Sequence, residues 1–244
     1  RLGYRASFVI SAVLGCLAAL FVLRFLEQGR GGGMRRLRWA DFRLLWRNSR
    51  FMAVALLAAI PSKIALTGFL YYAVLLHLKA IGNEQGDIGR AMVAYGAAIV
   101  LLAPLAAGLV DRARQRSGFV LFGGLLASLA MLLPYFDHGL WAAVLGIALL
   151  GIGHAIAVPA QLALATEVSR TEVERIGSGT VMGLFRLIER LGNVSGPLLA
   201  GTLMAGWGFQ GAILGLSGIN LVAVVLLALM LSPVATRARG GEPS

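Results

Sequence analysis

Four charged or amide side chains lie in the middle of a long apolar stretch, residues 176–206: Arg186, Glu189, Arg190 and Asn193. At helical spacing, Arg186, Glu189 and Asn193 fall on one face, about one turn apart. A charge at mid-bilayer depth costs at least about 2.5–3.5 kcal/mol, so such side chains face protein or a water-filled cavity. The pattern predicts a pathway for a solute rather than a plain membrane anchor.

Small residues and a proline follow these polar side chains in the same stretch. They are Gly192, Gly196, Pro197 and Gly201. Glycines allow two helix backbones to approach closely, and a proline interrupts the helical hydrogen-bond ladder. The stretch is therefore predicted to be a spanning helix that packs closely on a neighbour.

A second apolar stretch, residues 51–77, carries Lys63 about twelve residues from its start, or roughly 18 Å along a helix. Glu189 lies at nearly the same depth in its own helix, and a lysine can hardly reach the interface from there. We expect a Lys63–Glu189 pair between the two helices. The alternative is that Glu189 pairs with Arg186 or Arg190 in its own helix.

Other polar residues are candidates for substrate binding or ion coupling. Thr67, Tyr71 and Tyr72 follow Lys63 along or beside one face, where they could bind an anion or donate hydrogen bonds. For the tyrosines, the alternative is an aromatic belt at the membrane interface. His154 and Gln161 share a face of the fifth span. His154 could relay protons, or it could be a packing residue that donates to a carbonyl.

The composition is that of a membrane protein. The 244 residues are 58% hydrophobic and 14% charged, with a mean hydropathy of +0.81, whereas soluble domains carry about 25% charged residues. The net charge is +11, but the basic residues sit in short loops between apolar stretches, so a nucleic-acid partner is not expected. Cys16 is the single cysteine, and no metal-ligand or nucleotide-binding spacing occurs. We therefore expect no cofactor, no metal and no enzyme activity.

Seven apolar segments are long enough to span a bilayer. They are residues 6–25, 51–77, 88–110, 118–136, 139–165, 176–206 and 210–232. The basic segment between the first two, from Met34 onward, has the pattern of an amphipathic surface helix, although a plain basic loop is the alternative. Placing it inside the cell gives fourteen basic loop residues inside and four outside, so the C-terminus is predicted to be cytoplasmic.

The residues Leu102–Ser117, LAPLAAGLVDRARQRS, resemble the loop motif of the major facilitator superfamily. Asp111, Arg112 and Arg116 match its acidic and basic positions, while Ala107 and Arg114 replace its two glycines. The basic segment 27–50, the Gly196-Pro197 pair with Gly201, and the opening GYRASF are also similar to features of that family.

The resemblance implies an all-α bundle of seven transmembrane helices, half of a major-facilitator fold. Residues 1–25 would be the sixth helix, 26–50 a cytoplasmic linker, 51–233 the C-terminal six-helix bundle and 234–244 a tail. The N-terminal half of the same polypeptide would then be missing. Asp111, Arg112 and Arg116 would form a cytoplasmic latch for the outward-facing state; alternatively, Asp111 only caps a helix and pairs with Arg116.

The expected function is ion-coupled secondary active transport of a small solute by alternating access, in the lipid of the inner membrane. The excess of positive over negative charge at mid-depth favours an anionic substrate. The alternative is a transporter-like membrane module of a sensor that moves no solute.

Overall fold

The computed structural model describes residues 4–25, 39–113 and 115–232, and within these ranges every regular element is a helix, as predicted. The chain divides into two compact units, Arg1–Leu37 and Arg38–Ser244. The first contains helix α1, Tyr4–Phe25. The second contains α2 (Trp39–Arg47), α3 (Ser49–Ala80), α4 (Gln85–Arg112), α5 (Arg116–Phe136), α6 (Leu140–Val168), α7 (Arg170–Ile176) and α8 (Ser178–Leu231).

Six helices in the described part of the chain are long and apolar enough to cross a membrane, namely α1, α3, α4, α5, α6 and α8. The last has 54 residues, far more than the roughly 20 that one crossing needs. At Gly208 its backbone has φ 68° and ψ −169°, a conformation that only glycine adopts readily. Leu203 and Gly215 lie side by side because the chain folds back there.

Helix α8 therefore consists of two arms, which we call α8a (178–207) and α8b (209–231). With the two arms counted separately, the described chain has seven spans. The predicted all-α membrane bundle is confirmed, and the bend lies within the predicted connection between residues 206 and 210.

Helix α3 combines ordinary and widened helical turns. Asn48 caps its start by accepting a hydrogen bond from Phe51 N at 3.0 Å. Two π-helical stretches, Ala55–Ala59 and Ala65–Val74, flank the α-helical turn Ile60–Ile64. Pro61 lies in that turn and donates no backbone hydrogen bond, and π-helical turns occur often at functional sites.

Helix α2 occupies part of the predicted amphipathic segment. Leu45 is 2% exposed and packs with Phe51 in the core, whereas Arg43, Trp46 and Arg47 are exposed. Residues 26–38 of the predicted linker, the last residue of the predicted bundle (233) and the predicted tail (234–244) lie outside the described residues. The membrane-surface location of this segment stays a prediction.

Two apolar clusters form the core of the second unit. One surrounds Phe51, Phe185 and Leu227 near α2, and the other surrounds Phe69 and Met131 near the opposite end of the bundle. Between the two clusters, α3, α6, α8a and α8b carry buried polar side chains. These side chains are Ser62, His154, Gln161, Glu189 and Asn220. The core is therefore apolar at both ends and polar at mid-length.

Candidate functional site

Three charged side chains meet where α3 crosses α8a. Glu189 is 5% exposed. Its Oε1 lies 2.8 Å from Lys63 Nζ, and its Oε2 lies 2.8 Å from Arg186 Nη1. Arg186 Nη1 also lies 3.2 Å from Oε1. We call Lys63, Arg186 and Glu189 the ion-pair triad. Glu189 thus contacts both Lys63, the partner expected from the other helix, and Arg186, one of the two partners expected within its own helix.

Glycines on α8a bring the triad together. A Cβ on Gly192 would lie 2.5 Å from Ile60 O and 2.7 Å from Lys63 Cβ, so this position admits only glycine at the observed helix separation. One turn later, Gly196 lies against Thr67 and Gly68, and a Cβ on Gly68 would lie 2.7 Å from Gly196 O. The helix backbones approach closely enough for the short reach from Lys63 to Glu189.

Other residues of this crossing continue the contact toward the far end of the bundle. Thr67 Oγ1 donates to Lys63 O at 2.8 Å and lies 3.4 Å from Gly192 O. The Tyr72 hydroxyl lies 3.1 Å from the position that a Cβ on Gly201 would occupy. Pro197 lies within the helix between these glycines and is half-buried.

Helix α8a presents three different faces. Its buried face carries Glu189 and the packing glycines. A second face is exposed and polar, with Arg186, Arg190 and Asn193 at helical spacing. The third is exposed and apolar, with Leu187, Val194 and others. A polar exposed stripe beside buried charges is the arrangement expected of a wall that faces a watery pathway.

Not every predicted polar residue joins the triad. Arg190 and Asn193 are exposed, and Tyr71 on α3 is 53% exposed. The structure assigns none of these three a hydrogen bond or ion pair through its side chain within the described residues. Arg190 and Asn193 therefore belong to the exposed polar face of α8a, and Tyr71 is an exposed residue of α3.

His154 and Gln161 lie in a separate, uncharged cluster. His154 Nδ1 is 3.1 Å from the Tyr95 hydroxyl, and Gln161 Nε2 donates to Ala58 O at 3.4 Å. Asn220 on α8b donates to Ser128 Oγ at 2.9 Å and to Gly124 O at 3.2 Å.

Sequence reasoning missed the uncharged partners in this cluster: Tyr95, Ser128, Ser217 and Asn220. Each is an isolated polar residue in a largely apolar span, and that isolation could have indicated a hydrogen bond to another helix.

The predicted latch residues lie at the junction of α4 and α5. Asp111 and Arg112 are exposed in the last turn of α4. Arg116, in the first turn of α5, has Nη1 3.4 Å from Glu167 Oε2 and donates to Ala163 O at 3.4 Å. Within the described residues its ion-pair partner is Glu167 rather than Asp111, and Glu167 was not singled out from the sequence.

Asn48 is a further connection that sequence reasoning missed. Its Nδ2 donates to Val168 O at 3.0 Å and to Glu172 Oε1 at 3.1 Å, while its Oδ1 caps α3. This side chain ties the start of α3 to the end of α6 and to α7. An asparagine directly before an apolar helical run was the signal for such a cap.

No group of three or more His, Cys, Asp or Glu side chains in the described part of the chain could hold a metal ion. A family model described as Major Facilitator Superfamily matches residues 64–244, which is most of the chain. A comparison with curated proteins gives no match. The family match begins directly after Lys63 and includes α4 to α8.

Proposed function

Because the chain belongs to the Major Facilitator Superfamily, whose members are membrane transporters, we propose that it moves a small solute by alternating access. The observation that carries the proposal is the ion-pair triad. A buried carboxylate held by two cations, beside an exposed polar stripe on α8a, is expensive in a membrane and is typical of a substrate or ion pathway.

The charges of this region favour an anionic substrate. Lys63, Arg186 and Arg190 carry three positive charges, and Glu189 carries one negative charge, which leaves +2. Arg186 is half-exposed while it binds Glu189, and its guanidinium has donors that can also hold an incoming carboxylate or phosphate. We propose that the substrate anion competes with Glu189 for Arg186 and Lys63.

Glu189 is also the proposed site of ion coupling. A proton on Glu189 would remove the charge that holds Lys63 and Arg186, and both cations would become available to the substrate. Proton binding and anion binding would then favour each other. This coupling uses only side chains that already touch one another.

The contact that closes the pathway at the end of the bundle carrying the α4–α5 loop would involve that loop. Asp111 and Arg112 are exposed there, while Arg116 is held by Glu167 on α6. We propose that Asp111 and Arg112 form the latch and that Arg116 fixes the junction that presents them. The proposed location is the inner membrane, with the C-terminus in the cytoplasm.

The test is solute flux through the full-length protein in proteoliposomes, with and without a pH gradient. Glu189→Gln should abolish the dependence of flux on the pH gradient. Glu84→Gln is a matched control, because it makes the same change at an exposed carboxylate directly before α4, outside the triad and the α4–α5 junction, and it should leave the pH dependence unchanged.

Flux and pH dependence that Glu189→Gln leaves unchanged would remove Glu189 from the mechanism. Ligand binding without any net flux in the unaltered protein would instead favour a sensor module.

A further inference from the structure

A narrow cavity lies between α3, α5, α6 and α8b, and no member of the ion-pair triad lines it. Its polar lining consists of Ser62, His154, Gln161 and Asn220, and the rest is apolar. The volume open to a water molecule is about 10 Å³, close to the minimum that one water needs. A solute of metabolite size does not fit there.

His154 supplies an unsatisfied polar atom to this cavity. The side chain is 2% exposed, and its Nδ1 is occupied by the Tyr95 hydroxyl. Its Nε2 is buried and has no hydrogen-bond partner among the described residues. His154 lines the cavity and Tyr95 does not, as expected if the ring edge opposite Tyr95 faces into the cavity. An unpaired buried polar atom costs about 1–3 kcal/mol.

Two amide side chains, Gln161 and Asn220, line the same cavity. Gln161 and Asn220 both use their NH₂ groups as donors, to Ala58 O and to Gly124 O with Ser128 Oγ. Their carbonyl oxygens receive no hydrogen bond from the part of the chain that the structure describes, and each has two lone pairs. A molecule with two hydrogen-bond donors and one acceptor would satisfy both amide oxygens and His154 Nε2.

We propose that this cavity binds a single water molecule that donates to the Gln161 and Asn220 amide oxygens and accepts from His154 Nε2–H. The arrangement requires the Nε2–H tautomer of His154, with the Tyr95 hydroxyl donating to Nδ1. The site is distinct from the triad, and it assigns His154 and Gln161 to water rather than to the transported solute.

Solid-state NMR of the full-length protein in lipid bilayers tests the proposal. With ¹⁵N-labelled histidine, the His154 signals are identified by their loss in His154→Phe. We expect a protonated Nε2, an unprotonated Nδ1, and rapid magnetisation transfer from water protons to Nε2. Gln161→Met should reduce that transfer to background, because methionine fills similar space without the amide oxygen.

The matched control is Gln210→Met, which makes the same change at an exposed glutamine. Gln210 lies near the bend of α8 and contacts His138. It should leave the His154 signals unchanged. A protonated Nδ1, an Nε2 that receives no magnetisation from water, or equal effects of the two glutamine variants would each overturn the proposal. If Gln161→Met does not fold, the tautomer and the water transfer in the unaltered protein decide the question.

Discussion

Gly192→Ala should separate α3 from α8a at the ion-pair triad. The new Cβ would lie 2.5 Å from Ile60 O, whereas ordinary contacts begin at 3.4 Å, so the helices must move apart by about 0.9 Å at this point. The neighbouring atom is a backbone oxygen, which cannot rotate away. The same displacement would disturb the 2.8 Å contact of Lys63 with Glu189, because both residues lie at this crossing.

The matched control is Gly183→Ala on the same arm of α8, where a Cβ would meet open space. Both variants gain the same helix propensity of about 1 kcal/mol, so their difference isolates the steric effect. Overpacking costs about 1–3 kcal/mol, which corresponds to about 2–12 °C in the midpoint of thermal unfolding for a chain of this length.

The assay is thermal unfolding of the two purified variants in the same detergent. Gly192→Ala should unfold at the lower temperature, and the pH dependence of flux should be weakened in that variant alone. Equal midpoints for the two variants would refute the close crossing of α3 and α8a as the structure places it.

Three further variants test other contacts. Asn48→Ala should lower stability by about 0.5–2 kcal/mol, measured by thermal unfolding, because the cap of α3 and its links to α6 and α7 are lost. Arg116→Gln should change stability by less than about 1 kcal/mol, since both partners of its ion pair are partly exposed, but it should lower solute flux. Lys63→Met should destabilise the protein, and adding Glu189→Gln should restore part of the loss; a double-mutant cycle measures the coupling, and additive effects would contradict the pairing.

The spanning helices, including α8a with its charged side chains, could be predicted because the bilayer constrains every residue that lies within it. An apolar run of sufficient length must cross, and a charge within it must face away from lipid. From the sequence, Lys63 in another helix and Arg186 or Arg190 in the same helix were alternative partners for Glu189. A carboxylate has two oxygens, however: Oε1 binds Lys63, and Oε2 makes the shorter contact with Arg186, which also lies 3.2 Å from Oε1.

The uncharged cluster could not be predicted to the same depth. An asparagine or serine in an apolar span must find a partner, but the partner depends on the rotation of each helix about its axis. Asn220 finds Ser128 and Gly124 only because α8b packs on α5 in one particular orientation. The π-helical stretches of α3 add to this difficulty, because each widened turn rotates all later side chains relative to an ideal helix.

The two cations of the triad differ in a way that bears on motion. Arg186 lies on the same helix as Glu189, three residues away, whereas Lys63 lies on α3. If α3 moves against α8a during transport, the bond to Lys63 can break while Arg186 stays with the carboxylate. Removing the sole partner of a buried charge costs about 3–5 kcal/mol, and a retained partner avoids most of that cost. Lys63 is therefore the cation that we expect to leave Glu189 when the helices move, while Arg186 stays with the carboxylate until a proton or the substrate displaces it.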